Sequence, residues 1–392
     1  MPRRRLIRWL PLSLLAASCL AQIVVPLARI GTSYRATELE LSESQILALS
    51  SAFSLLPAFL AVHMGRYNDR HGNGRSSLAG ALLMAVSCLM LLPSTGGVWW
   101  LLAASVVLGL GQTLQLTALQ GEIATFRLRR HREGMVGGLM LWQAIGQVSA
   151  PMILSIIALA GGQLSQRLAL VASALALVCV GLGLVLWRCA AEPRQISLQP
   201  LAIGRIFSVS GLGWVMLAGS LCVAVYDLTL IYMPVIGETR GIPAEIVGLL
   251  LTLLACGQML SRALYRRVQM QAGSRKLMLG GVLGTALLTV LLGLPLHILA
   301  VGAVLGLIGV TMGFAITSSV ALTMTLAPPG ARVTSLGLRL AMNRAGQFVI
   351  PLAAGGAAAI LGAGAVFFVL GLVLGGVGLH GPRVLSRTEP AS

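Results

Sequence analysis

The chain has 392 residues, of which 57% carry hydrophobic side chains and only 10% are charged, and its mean hydropathy is +0.90. A soluble globular domain is nearer about 25% charged, so the composition excludes one and indicates a polytopic membrane protein. The net charge of +17 does not point to nucleic acid, because the basic residues sit in small clusters between long apolar runs and make no contiguous basic surface.

The amino terminus, Met1-Pro2-Arg3-Arg4-Arg5-Leu6-Ile7-Arg8, has the charge of a signal-peptide leader, but the apolar stretch after it runs to Val25 and beyond. That length favours an uncleaved first span. A helix needs about 20 apolar residues to cross a bilayer. On that measure twelve runs qualify, near 9–33, 44–64, 76–93, 98–122, 134–160, 167–188, 208–236, 244–263, 277–295, 299–325, 333–360 and 363–380. The gap at Leu294-Pro295-Leu296-His297 is the weakest boundary. With the amino terminus inside, 22 of the 28 basic residues fall in inner segments, Arg262, Arg266 and Arg267 among them. Only Arg35, Arg167 and Arg240 lie outside, and Arg29, Arg339 and Arg344 lie within spans. A wrong span count would scramble this bias, so both termini are expected on the cytoplasmic side of a multi-pass protein, in a bacterial inner membrane.

Between the second and third runs lies Gly65-Arg66-Tyr67-Asn68-Asp69-Arg70-His71-Gly72-Asn73-Gly74-Arg75, read as a short turn dense in charge and glycine. Gly65, Asp69, Arg70, Gly72 and Arg75 resemble the signature loop of the major facilitator superfamily; Tyr67 replaces its usual leucine, Asn68 its small residue, and Asn73-Gly74 interrupts its basic pair. With Ser33-Tyr34-Arg35 after the first span, the chain is similar to bacterial efflux-type permeases of that family.

The chain also repeats at an offset of 200: Gly146-Gln147 and Pro151 recur as Gly346-Gln347 and Pro351, Gly137 as Gly337, Ile46 as Ile246 and Arg75 as Arg275, while Gln143 meets Asn343. Two homologous six-span halves give this pattern. The expected fold is all-α, twelve transmembrane helices in two pseudo-symmetric bundles, 1–188 and 208–392, joined by a cytoplasmic linker at 189–207. The resemblance implies that the bundles rock about a central site.

It also implies a conformational latch. Asp69 would face the amino end of the eleventh helix near Thr334-Ser335, where unpaired N–H groups favour a negative charge, and Arg70 or Arg75 would pair with Glu122; a plain positive-inside anchor is the simpler alternative. On the fourth span Gln112, Gln115 and Glu122 share one face, and Ser105 stands where proton-coupled relatives often carry arginine. On the fifth, Trp142, Gln143 and Gln147 accompany Gly146-x-x-x-Ala150-Pro151, a partial likeness to the glycine-rich antiporter motif whose small residues also serve plain helix packing.

Charges inside a bilayer cost about 2.5–3.5 kcal/mol each on insertion scales, so they face a cavity or a partner. Arg29 and Asp227 are isolated in the first and seventh spans. Aligned at offset 200 they reach similar depth and would pair; aligned on Pro26 and Pro234 they separate by roughly 15 Å. In the eleventh span Arg339, Asn343 and Gln347 recur at i, i+4, i+8 with Arg344 beside them, a face expected to meet protein or water, either as substrate contacts or as interhelical bonds.

Six cysteines without CxxC spacing and five scattered histidines support neither a disulfide framework nor a metal site, and no Gly-x-x-x-x-Gly-Lys run is present to bind nucleotide phosphates. The expectation is therefore a secondary transporter without enzymatic activity or cofactor, a monomer in the lipid bilayer, moving a small organic solute by efflux coupled to protons. Symport or facilitated import of an anionic or zwitterionic metabolite is the alternative, given three embedded arginines.

Overall fold

The computed structural model describes residues 10–93, 96–124, 129–159, 162–189, 209–327, 332–361 and 364–386. Lipid offers the backbone no hydrogen-bond partner, so the long apolar runs close their bonds internally as helices. They are α1 (Leu10–Glu38), α2 (Glu43–His71), α3 (Asn73–Met90), α4 (Val98–Ala124), α5 (Arg129–Leu159), α6 (Leu164–Cys189) and α7 (Leu212–Thr239). A 49-residue stretch, Ala244–Leu292, follows, broken at Gly273 (φ 77, ψ 151) into α8 (244–272) and α9 (274–292). The chain continues through α10 (Ile298–Leu326), α11 (Arg332–Leu361) and α12 (Ala365–Ser386), making twelve helices and no strand among the described residues. By length and composition eight of the continuous helices, Ala244–Leu292 counted once, suffice to cross a membrane. The others, α2, α3 and α11, carry polar groups within their length, such as Asn73 and Arg75 in α3 and Arg339 and Arg344 in α11. The weakly marked boundary at Pro295 is real, with His297 capping α10 by accepting from the Leu299 N–H at 3.4 Å.

One expectation needs correction. The stretch Gly65–Arg75 is not a turn throughout: α2 continues to His71, and the break is confined to Gly72 (φ 87, ψ 142), a backbone conformation that L side chains rarely adopt. Arg262, at the inner end of the eighth apolar run, lies in α8 about three turns before Gly273 and is half-buried. The linker residues 190–207 lie outside the described residues.

By contacts the chain divides into two compact units. The first comprises the described residues of Met1–Leu41, Ala52–Ser197 and Met233–Leu249, and the second those of Ser42–Ser51, Leu198–Tyr232 and Leu250–Ser392. In the first unit α1 packs on α5 and α6, and α3 on α4 and α6. Its core includes Leu14, Ala17, Leu119, Ile123, Leu139 and Leu186, flanked by Met135. In the second, Leu212 and Met216 of α7 pack against Leu326, Leu338 and Met342 of α10 and α11.

The internal contacts of the two units repeat. Gly109 of α4 abuts the Phe53 carbonyl of α2, and Gly309 of α10 abuts the Leu254 carbonyl of α8. A Cβ on Gly80 of α3 would lie 2.7 Å from the Gly111 carbonyl, and one on Gly281 of α9 would lie 2.7 Å from the Thr311 carbonyl. Gly146 meets α1 at Cys19 and Gln22; Gly346 meets α7 at Ser220. These pairs keep an offset of 200 in α4/α10 and α5/α11, but 201 in α2/α8 and α3/α9, where Gly72 and Gly273 also share one backbone conformation. Arg75 is therefore structurally equivalent to Lys276, and its match to Arg275 at offset 200 is one residue out of register.

Adding a methyl group at Gly109 or Gly309 forces it against backbone. Gly109→Ala and Gly309→Ala are each expected to lower stability in detergent by about 1–3 kcal/mol through overpacking. Gly280→Ala has nothing within 4 Å and should be neutral or stabilising. Thermal unfolding of the three purified variants checks this; equal melting temperatures would contradict the close approach.

Candidate functional site

Around the signature loop, the surroundings of Gly65 and the side chains of Asp69 and Arg70 are not among those described, whereas Gly72 is buried and Arg75 exposed. Glu122 is buried near the end of α4 and accepts a hydrogen bond from Asn73 Nδ2 at 3.3 Å. Asn73, which interrupts the family's basic pair, thus supplies a neutral donor to this carboxylate. Asn68 is also buried, and its amide is fully satisfied with Nδ2 donating to Met64 O and Ser76 Oγ and Oδ1 accepting from Thr117 Oγ1 and the Ala118 N–H. Two asparagines therefore tie the α2–α3 junction to α4, a role that amphipathic patterning does not reveal.

On α4, Gln115 is fully buried and donates to Cys179 Sγ of α6 at 3.0 Å, so it serves the packing of α3, α4 and α6; Gln112 is half-buried one turn away. On α5, Trp142 and Gln143 are half-buried, Gln143 Nε2 finds no partner among the described residues, and Gln147 Nε2 donates to Gln22 Oε1 of α1 at 3.4 Å. Gly146 makes that α1–α5 approach possible, and the Pro151 carbonyl receives the Ser155 hydroxyl at 3.3 Å. Ser155 also donates to the Glu245 carbonyl, and Gly248 of α8 packs on the Pro151–Ser155 segment within the same unit.

Arg29 is buried, with its guanidinium 4.4 Å from the centroid of the Phe53 ring of α2, a cation–π contact. Asp227 is buried in the second unit. Arg262 lies within electrostatic reach of Tyr226 there. In the same unit the expected polar face of α11 is buried as a set: Arg339, Asn343 and Gln347 are 5%, 9% and 8% exposed. Arg339 Nε donates to Ser319 Oγ of α10 at 2.8 Å, and Arg344 Nη1 donates to Gln347 Oε1 at 3.0 Å. Gly346 lies against Ser220, whose hydroxyl donates to the Met342 carbonyl, and Pro351 is buried.

A feature missed in the sequence lies at the outer end of the first unit. Glu38 Oε2 accepts from Arg35 at 3.0 Å and from Ser165 Oγ at 2.6 Å, and Glu238 stands close enough to Glu38 for the two charges to repel. The pair is itself separated by 200 positions, so the internal repeat carried the signal. No group of three or more metal-ligating side chains occurs among the described residues.

The chain matches the Major Facilitator Superfamily over residues 12–271 and again over 215–392. No curated protein matches it by sequence. Among solved structures it is similar to the nucleoside transporter NupG (15% identity, 96% of this chain and 99% of that one, TM-score 0.76). It is also similar to a D-xylose-proton symporter (17% identity, 95% and 97%, TM-score 0.77). The peptide transporter POT in complex with sulfate is a third (12% identity, 99% and 98%, TM-score 0.78). At these identities the likeness establishes the fold.

The Asn73–Glu122 contact sets an expectation for charge. Asn73→Ala should lower the melting temperature modestly. Asn73→Asp should lower it further near pH 7, by placing a second carboxylate beside Glu122, and the excess should shrink near about pH 5 as carboxylates begin to protonate. Melting curves at the two pH values test the sign.

Proposed function

Because this chain belongs to the major facilitator superfamily, we propose that it is a secondary active transporter that moves a small organic solute across a bacterial inner membrane by alternating access. The observation that carries the reading is the buried polar face of α11, formed by Arg339, Asn343 and Gln347. Side chains of this kind are costly to place in a membrane interior and are retained there for binding or coupling. We assign the two halves as bundles 1–188 and 208–392, joined by a cytoplasmic linker at 189–207, with both termini cytoplasmic and the protein monomeric.

Efflux coupled to protons is the leading direction, from the likeness of Ser33-Tyr34-Arg35 and of the Gly146–Pro151 segment to efflux permeases and antiporters. Asp227 is the candidate protonatable group, buried in α7. In this reading Asp69, Arg70, Arg75 and Glu122 work the inner latch with Gly65 and Gly72 at its bend, while Arg29, Gln112, Trp142, Gln143, Gln147 and Arg344 face the transport path. Import or facilitated movement of an anionic or zwitterionic metabolite is the second reading. It is favoured by Arg339, which is buried with no carboxylate in ion-pair contact among the described residues, and by Ser105 in place of an arginine on α4.

Proteoliposomes carrying the purified protein test both readings. A thermal-shift screen of metabolites and antibiotics at two pH values first selects ligands, and their flux is then followed with and without an imposed pH gradient. Proton-coupled efflux requires substrate movement against its gradient, driven by the proton gradient and lost in Asp227→Asn. Gradient-independent flux of organic anions that falls at least tenfold in Arg344→Ala identifies the second reading, and binding without flux would refute transport.

A further inference from the structure

The two halves differ in polarity at the joint between the fourth and fifth helices of each. At the structural offset of 200 that relates α4 to α10 and α5 to α11, Ala118, Leu119, Met135 and Leu139 correspond to Ser318, Ser319, Ser335 and Arg339. In the first unit this joint is apolar: Leu119 and Leu139 belong to one buried cluster, Met135 packs against it, and Ala118 is fully buried. In the second unit all four positions are polar and buried. Arg339 holds Ser319 at 2.8 Å, while Ser318 Oγ, Ser335 Oγ and, one turn deeper, Asn343 Oδ1 have no partner among the described residues.

The fold does not require this polarity, since the equivalent joint closes with leucines. Burying a guanidinium with no carboxylate in ion-pair contact among the described residues is costly, and three polar atoms without partners among those residues add to that cost. Four changes at one joint, all from apolar to polar, point instead to a group that is present part of the time. The chemistry of that group can be read from the side chains. A guanidinium with two neighbouring hydroxyls presents donors suited to the oxygens of a carboxylate or phosphate. The Asn343 carbonyl, four residues and about 6 Å further along the helix, presents an acceptor.

We propose that Ser318, Ser319, Ser335, Arg339 and Asn343 form a binding subsite, wholly within the second unit, for an organic anion that carries a hydroxyl or amino group beside its anionic end. Arg339 binds the anion, and Asn343 Oδ1 accepts from the adjacent hydroxyl or ammonium. The proposal rests on the transport reading only for where the ligand goes, since binding and flux are measured separately.

The test uses the full chain in detergent and ligand pairs that differ only in that donor group: malate against succinate, and alanine against propionate. Wild-type protein should be stabilised in thermal shift by the donor-bearing member of at least one pair, with affinity about tenfold above its partner, the effect of one good hydrogen bond. Asn343→Leu should keep binding but lose the preference. The double variant Ser319→Leu/Arg339→Leu, which copies the first unit, should melt at the same or a higher temperature without ligand and lose stabilisation by every anion. No stabilisation by any of the four compounds, equal affinity within both pairs, or a lower melting temperature for the double variant would overturn the proposal. The last result would mean that the guanidinium answers a protein carboxylate. Binding of these anions without flux would uphold the subsite and remove the transport reading; flux of other solutes without such binding would do the reverse.

Discussion

Every part of this structure depends on how closely one helix backbone can approach another. In lipid the apolar side chains gain little by leaving their solvent for each other, so helix association relies on packing and on small residues that admit close contact. Gly109 against the Phe53 carbonyl and Gly309 against the Leu254 carbonyl are the tightest such approaches between α4 and α2 and between α10 and α8. Gly80 and Gly281 do the same for the next helix pair, and Gly146 and Gly346 for α5 on α1 and α11 on α7. Each half is thus assembled on three glycine contacts in corresponding places, which leaves the remaining faces of the helices free to differ.

They differ at the joint proposed as a binding subsite. The first half fills the α4–α5 joint with Leu119 and Leu139, and the second half fills the α10–α11 joint with Ser319 and Arg339. The outer ends instead converge: Glu38 and Glu238, at repeat-equivalent positions, lie close together in one unit with Arg35 and Ser165 engaged on Glu38. A duplicated scaffold with unequal linings gives a transporter chemical polarity without disturbing the packing that both halves share.

Legibility in the sequence followed the physics of each feature. The polar face of α11 was readable because four-residue spacing is a helical property, and its burial follows from the cost of exposing arginine and amides to lipid. The glycine at position 72 was readable as a break, but the extent of the break was not. Gly65 to His71 looks like a loop by composition, whereas the backbone continues in a helix because only Gly72 adopts a positive φ. Asn73 and Asn68 carry no periodic signal, and their partners on α4 are nearly fifty residues away.

Composition, the length of the apolar runs, the distribution of arginine and the repeat near offset 200 determined by themselves that this is a twelve-helix membrane protein of two related halves. These are properties of single helices and of the solvent around them, so they survive without knowledge of contacts. Which repeat-equivalent residues kept their environment and which exchanged it was decided only by the tertiary structure. The Leu119–Leu139 joint, the Ser319–Arg339 joint and the meeting of Glu38 with Glu238 each depend on side chains brought together from distant helices, and a one-residue shift in register between α3 and α9 changes which residues correspond.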